Sequence, residues 1–329
     1  MSGFSFQYSR AADIDAAVTQ GSRSGTAFLA GGTDLLQLWK AGAMAPEEVV
    51  DISRLPLRDV TYADGELSLG ALARLSDVAA HPDVARNHRL IADAILASAS
   101  GQIRNMATVG GNLLQRTRCP YFRNQGLACN KRDPGSGCGA LSGENRQAAL
   151  FGASASCAAT HASDLAVALV ALDAAVEVFG AAGSRRFPLS ELYCFPNATP
   201  EHETNLIAGE LITAIHVKGA SRFAARSTYL KVRDRASFEF AVVSVAAALR
   251  VEDGVIVEAR LAAGGVAPLP WRLTGSEAAL IGRVPDIKAI RAAGDLAISD
   301  ARPLAHNGFK VELLRNAVIR ALQTIGYHP

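Results

Sequence analysis

Cys119, Cys129, Cys138 and Cys157 fall in one basic, Gly-rich stretch, RCPYFRNQGLACNKRDPGSGCGALSGENRQAALFGASASC, and the chain holds only one other cysteine, Cys194. Four thiols gathered this closely, in a chain of 329 residues that is large enough to fold without staples, point to a metal or an iron–sulfur cluster. The spacing, C-x9-C-x8-C-x18-C, is neither the C-x2-4-C knuckle of structural zinc nor the C-x2-C-x2-C-x3-C run of a bacterial ferredoxin. Spacing alone therefore leaves zinc, a 4Fe-4S cluster, two disulfides and four free thiols open. Arg116, Arg118, Arg123, Lys131, Arg132 and Arg146 crowd the stretch, opposed nearby by Asp133 and Glu144. That excess would offset the negative charge of a 4Fe-4S core with four thiolates, but zinc with four thiolates carries the same net charge. Only a redox partner in the same chain favours iron.

Two glycine turns could approach a phosphate. Ala30-Gly31-Gly32-Thr33-Asp34 lies between a strand-like run and a helical one, where the backbone can come close to an anion and a helix N-terminus offers unpaired N–H groups. Thr108-Val109-Gly110-Gly111-Asn112 is a second turn of the same kind, with Thr108 and Asn112 able to add side-chain hydrogen bonds. Together they suit the two phosphates of a dinucleotide, although neither is a Walker loop or a G-x-G-x-x-G, and each is also an ordinary turn. Asp164 opens a helical pattern as a cap or a ribose acceptor, the cap being the simpler reading. Cys194, in YCFP, reads as a small buried apolar residue. The absence of H-E-x-x-H and G-x-S-x-G removes support for a metalloprotease or an α/β-hydrolase.

The elements that must position these residues are short. Runs 4–8, 26–30, 47–52 and 66–71 read as strands, and 13–20 and 33–40 as helices, the second opened by Thr33 or Asp34 as a cap. A longer helix is expected over 83–99, followed by the Gly-rich, cysteine-bearing region 101–152. A structureless loop of that length inside a domain needs something to order it, and a bound cluster would. Helical periodicity resumes at 163–172 and runs into a strand at 174–180; after Pro188, Pro196 and Pro200 a strand is expected near 209–217. STYLKV, FAVVSVAAALRVEDG and VIVEARLAAGG then predict three antiparallel strands, the last two joined at an Asp253-Gly254 turn, and three helical patterns finish the chain, the last over 309–325. No internal repeat is visible, and a domain boundary is expected near Ala220.

With 49% hydrophobic and 19% charged residues, a globular protein of about two domains is expected. A formal charge of +2 is too mild to argue for nucleic acid or an anionic membrane surface as partner. No apolar run reaches the length of a transmembrane helix, and the N-terminal residues lack the charged and apolar regions of an export signal, so none is expected on this chain.

Taken in order, LAGGTDLLQLWK, ATVGGNLLQ, SDLAVALVALDA and YLKVRDRASFEFAVVSVAAAL resemble the FAD-binding subunit of the molybdenum hydroxylases, the xanthine dehydrogenase and aldehyde oxidase superfamily, over essentially the whole chain. The segment between Gln115 and His161 is an insertion relative to the commonest family pattern. In RTRCPYF and CNKRDPGSGC it resembles the flavin subunit of bacterial three-subunit aldehyde oxidoreductases, whose members bind a 4Fe-4S cluster through these cysteines.

The resemblance implies an α+β fold: a two-subdomain FAD-binding domain of the vanillyl-alcohol-oxidase type over 1–220, carrying the cluster-binding insertion 115–161, then a smaller α+β domain over 221–329 with a three-stranded antiparallel sheet and helices. It implies FAD contacts from Phe28, Leu29, Ala30, Gly31, Gly32, Thr33, Asp34 and Leu35, from Thr108, Gly110, Gly111, Asn112 and Leu114, and from Asp164, Leu211, Ile212 and Lys231. Leu211 or Ile212 would pack on the isoalloxazine, and Lys231 near the ring would favour reduced, anionic flavin. Where some dehydrogenases stack an aromatic on the flavin, this chain has small residues around Ala99 and Ser100. The cluster would be held by Cys119, Cys129, Cys138 and Cys157, with a molybdenum cofactor on a large partner and 2Fe-2S clusters on a small one, in a heterotrimer or a dimer of heterotrimers. Substrate, an aldehyde or alternatively xanthine or another N-heterocycle, would be oxidised on the large partner, so no catalytic residue is expected here. FAD would collect the electrons for an external acceptor. A structural zinc module is the rival from another class. The complex would be periplasmic by export with a signal-bearing partner, or otherwise cytoplasmic.

Overall fold

The computed structural model describes residues 5–326. β1 (Gln7–Arg10), β2 (Thr26–Leu29) and β3 (Glu48–Asp51) form a parallel sheet in the order β1-β3-β2. Parallel neighbours need crossovers, and helices α1 (Ile14–Gly21) and α2 (Leu35–Lys40) provide them. Asp13 starts α1 by accepting the Ala16 N–H at 2.7 Å. The expected strand 4–8 begins with Phe4, outside the described residues, and pairing starts at Gln7. Asp34 stands at the cap position of α2 but makes no capping hydrogen bond, contrary to expectation.

A second sheet holds β4 (Val60–Ala63), β5 (Glu66–Gly70), β6 (Ala175–Gly180), β7 (Gly183–Pro188) and β8 (Leu211–Lys218), all antiparallel, in the order β4-β5-β8-β6-β7. The edge strands β4 and β7 are not expected from the sequence: β7 faces solvent over most of its length and lacks apolar alternation, while β4 alternates over only four residues, too few to stand out. α3 (Leu75–Ala80), α4 (Pro82–Asn87) and α5 (Arg89–Ala97) share one buried core with this sheet. The single helix expected over 83–99 is broken at His88 (φ −135°, ψ 43°), whose buried ring stands edge-on to Tyr62 at 5.2 Å. Three short helices, α6 (Gly101–Arg104), α7 (Val109–Leu113) and α8 (Pro120–Arg123), occupy part of the region expected to lack regular structure.

α9 (Asp164–Ala171), apolar after its first residue, is buried on every side, and Ser163 caps it by accepting the Ala166 N–H at 3.0 Å. β9 (Ser227–Val232), β10 (Val243–Glu252), β11 (Val255–Gly264) and the two-residue β12 (Trp271–Arg272) form an antiparallel sheet, β12-β11-β10-β9, so the three expected strands gain a short fourth. Asp253 and Gly254 turn β10 into β11 with φ of 49° and 79°, as a tight hairpin requires. Alternate residues of β10 serve two cores. Ala246 and Ala248 pack with α9, while Val243, Val245, Ala247 and Leu249 pack with α10 (Thr274–Leu280), α11 (Ile287–Leu296) and α12 (Phe309–Gly326).

The start of α12 grips the end of the cysteine segment. Asn307, fully buried, donates through Nδ2 to the carbonyls of Ala148 (3.0 Å) and Ala149 (3.2 Å). Lys310, 1% exposed, donates to the carbonyls of Ala148 (2.9 Å) and Gly265 (2.5 Å) and faces no carboxylate there. Burial, with Arg146 nearby, pulls its ammonium down to about 7 from the ordinary 10.5. Between those values the unfolded chain holds the proton and the folded chain does not, so this residue makes stability rise as pH rises through the window. Urea denaturation between pH 6.5 and 10 should show that slope flattened in Lys310→Met relative to the unsubstituted chain.

Candidate functional site

The two glycine turns meet across one cleft of about 490 Å³. Ala30 to Leu35 form one lip between β2 and α2; Thr108, Gly110 and Gly111 form the other; Phe28, Leu114, Leu211 and Ile212 complete the apolar wall. A Cβ on Gly31 would stand 2.0 Å from the Met106 carbonyl oxygen, so only glycine permits this approach, and Gly32 has a φ of 69°. Among the described residues, the N–H groups of Gly31, Gly32, Thr33, Asp34 and Leu35 find no protein acceptor. A row of free donors beside a Cβ-free lip fits a pyrophosphate.

The second turn differs from expectation. Its donors are largely spent inside the protein, Gly110 N–H on Ala71 O (2.8 Å), Asn112 N–H on Thr108 O (2.8 Å) and Gly111 N–H on Thr108 Oγ1 (3.3 Å). Asn112 Oδ1 accepts the Ser163 hydroxyl at 2.6 Å, which ties α7 to the cap of α9. This turn shapes the cleft rather than supplying donors. Arg116, Thr204 and Glu210 also line it; of these only Arg116 gave a signal, as one of a crowd of basic residues.

The carboxylate of Asp34, a residue of the cleft lip, is bound by the cysteine segment. It accepts the Arg116 N–H at 2.8 Å, Arg123 Nη2 at 2.9 Å and a short hydrogen bond from Arg118. On the far side Glu203 takes Lys131 Nζ at 2.9 Å and Arg116 Nε. Burial would push the Glu203 carboxyl up, but Arg116 and Lys131 together hold it below the ordinary carboxylate range.

Cys119, Cys129, Cys138 and Cys157 line one small void with Tyr121, Phe122, Asn130 and Lys131. Among the described residues no three His, Cys, Asp or Glu are placed to hold a single metal ion. The void is internally braced: Asn130 N–H donates to Gly137 O at 2.7 Å, Gly137 N–H returns to Asn130 Oδ1 at 2.7 Å, and Arg132 donates to the Tyr121 and Phe122 carbonyls. Burial pushes the Cys119 thiol up and the Cys157 thiol up to about 11, despite Lys131 beside the latter. Ala159 N–H points at Cys157 Sγ at 3.5 Å.

Asp164 and Lys231 come together, but outside the glycine-turn cleft. Lys231 Nζ donates to Asp164 Oδ2 at 2.7 Å and to the Ala97 carbonyl at 3.2 Å, while the Tyr229 hydroxyl donates to Asp164 Oδ1 at 2.7 Å. Burial pushes the Asp164 carboxyl up, against the pull of Lys231 and Tyr229. The expected cap at Asp164 is Ser163 instead, and the field of Lys231 is offset by the carboxylate beside it. Asp164 lines a second cavity of about 350 Å³ that also meets Cys119, Tyr121, His161, Phe240 and Lys310. His161 separates it from a smaller hollow reaching Leu114 and Cys157; burial pulls this imidazole down to about 4, so it is neutral. Phe240, unsignalled in the sequence, carries the Arg118 guanidinium over its ring at 4.6 Å.

Apolar cleft, glycine lip and free donors define a dinucleotide-binding α+β protein, and comparison with known proteins narrows this. Residues 4–217 match the FAD binding domain in molybdopterin dehydrogenase, and residues 228–325 the CO dehydrogenase flavoprotein C-terminal domain. The chain belongs to the FAD-binding subunits of the molybdenum hydroxylases, each part of a multi-subunit oxidoreductase. It is 43% identical over 320 residues to the aldehyde oxidoreductase FAD-binding subunit PaoB of Escherichia coli (strain K12), covering 96% of this chain and 97% of that one. The glyceraldehyde dehydrogenase medium chain of Sulfolobus acidocaldarius is 29% identical over 281 residues, 84% of this chain and 82% of its own. Among solved structures, a carbon monoxide dehydrogenase from Hydrogenophaga pseudoflava matches with a TM-score of 0.75 at 25% identity, covering 99% of this chain and 98% of that one. The enzyme from Oligotropha carboxidovorans shares the fold, with a TM-score of 0.78 at 21% identity and full coverage of both chains. No described helix is long and apolar enough to cross a membrane.

Removing Lys231 would leave Asp164 buried without its counter-ion, a loss of about 3–5 kcal/mol for a pair of this kind. Chemical denaturation of the cofactor-free chain should show Lys231→Met destabilised on that scale, with Lys231→Met/Asp164→Leu recovering much of it.

Proposed function

We propose that this chain is the FAD- and 4Fe-4S-binding electron-transfer subunit of a molybdenum-dependent aldehyde oxidoreductase. The observation that carries the reading is the convergence of four cysteines, spread from 119 to 157, on one void beside a cleft rimmed by free backbone donors. A single zinc ion would need its thiolates about 2.3 Å from one point, whereas a cluster takes four cysteines spread around a larger core. An N–H aimed at Cys157 Sγ and the nearby Lys131 suit a group of negative net charge. The 43% identity with a subunit named for an aldehyde oxidoreductase favours an aldehyde over a heterocycle as the substrate of the complex.

In this reading the N–H groups of 31–35 hold the FAD pyrophosphate, Arg116 adds a cation at the cleft wall, and Leu211 and Ile212 pack on the cofactor. When bound, FAD accepts single electrons from clusters and passes one or two to an acceptor. Lys231 balances the charge of Asp164, which lines the adjoining cavity. Substrate is oxidised on a large molybdenum-cofactor partner, a small partner carries 2Fe-2S clusters, and the three assemble as a heterotrimer that delivers electrons to an external acceptor. The FAD-binding unit occupies 1–220 with its cluster segment at 115–161, and 221–329 forms the second domain.

The visible spectrum and metal content of the purified chain or complex test this. Flavin bands and about four iron atoms per chain beyond the small partner's share are expected. Gly31→Val, which drives a side chain into the Met106 carbonyl, should cut bound flavin to under about a tenth, and Cys138→Ser should abolish this iron. Zinc without flavin would overturn the reading.

A further inference from the structure

We propose that Asp34 is a positioning residue that couples the cysteine void to the FAD cleft, so that a filled void tightens FAD binding and bound FAD tightens retention of the cluster. This rests on the cluster reading above. Asp34 belongs to the turn that forms one lip of the cleft, yet its carboxylate, 14% exposed, is spent on the cysteine segment: Arg116 N–H, Arg118 and Arg123. Arg123 passes the link inward by donating Nε to the Thr117 carbonyl at 3.0 Å. The Thr117 hydroxyl donates to Thr160 O at 2.9 Å and accepts the Cys119 N–H at 3.2 Å.

Packing runs parallel to the ion pairs. Leu38 of α2 shares a small core with Phe122 and Cys129, against which Cys119 also packs, and Gln125 Nε2 donates to Gly42 O at 2.6 Å just beyond that helix. The glycine turn and α2 therefore rest on a surface made by the cysteine segment, and the sulfurs that a cluster would cross-link stand directly behind it. Emptying the void removes the cross-link between 119 and 157, loosens that surface, and leaves the free N–H groups less well aimed. Coupling between two sites is reciprocal, so each ligand must change the other's affinity by the same factor.

The experiment uses the full chain, first analysed for iron and acid-labile sulfide; their absence would overturn the cluster reading, and this inference with it. FAD affinity is then measured by flavin fluorescence on flavin-stripped protein, before and after iron removal. Iron release to a chelator is followed with and without saturating FAD. The expected result is about tenfold weaker FAD binding without the cluster, within the usual range of coupling, and slower iron release when FAD is bound. Asp34→Asn should bring the FAD ratio towards one, and Asp34→Glu should restore part of it. Arg123→Gln, on the far side of the ion pair from the turn, should also shrink the ratio, which a local disturbance of the turn would not explain. Should Asp34→Asn fail to fold by circular dichroism, Arg123→Gln and the unsubstituted chain carry the test. Equal FAD affinity with and without the cluster in the unsubstituted chain, or a ratio unchanged in Arg123→Gln, would overturn the coupling while leaving cluster and flavin binding intact.

Discussion

Two carboxylates gather the cations of the cysteine segment, and the site is built on those ion pairs. Asp34 arrives from the parallel-sheet subdomain and Glu203 from the loop before β8, and between them they hold Arg116, Arg118, Arg123 and Lys131. These pairs are largely sequestered from water, where an uncompensated charge is costly and a matched one is roughly neutral in net stability. Their value is therefore positional. They fix where a long, Gly-rich stretch lies against the rest of the fold, and they do so from both sides.

A second constraint comes from β10. Because both faces of this strand are buried, its side chains divide by parity: Ala246 and Ala248 towards α9, and Val243, Val245, Ala247 and Leu249 towards α12. Small residues on the α9 side let a helix with no polar face sit directly on the sheet. Ser244 breaks the apolar run where it faces Tyr229, whose hydroxyl reaches Asp164. Lys310 and Asn307 complete the enclosure by holding the backbone carbonyls at the end of the cysteine segment. The segment is thus anchored at its start by carboxylates and at its end by buried donors, which is why it can be long without being loose.

Much of this was legible in the sequence, and the gaps have physical causes. The glycine turns, the hairpin at Asp253-Gly254 and the largely apolar β10 announce themselves by composition and period. β4 and β7 did not, because β4 alternates over only four residues and β7 exposes most of the residues that would otherwise alternate. The break at His88 was hidden because the apolar helix pattern continues through it without a Gly or Pro to mark the stop. For Asp34 and Asp164, position at a helix start suggested caps, but carboxylates choose the strongest donors within reach, and those came from residues distant in sequence. Spacing could not reveal the convergence of four cysteines either, since it arises from the fold of the loop between them.

The pairing of Asp164 with Lys231 changes what a lysine in this place can do. An isolated ammonium beside a flavin ring would stabilise negative charge on it, but this one is buried, hydrogen-bonded to a carboxylate and to the Ala97 carbonyl. Its field at a distance is that of a dipole and falls off quickly, so any influence on a bound ring depends on which end of the pair lies nearer. The same pair joins α9 to β9 across the two domains, so its geometry cannot relax independently of their packing. The ion pair thus links α9 to the C-terminal sheet, and its carboxylate, that of Asp164, lines the cavity that also meets Cys119 and Phe240.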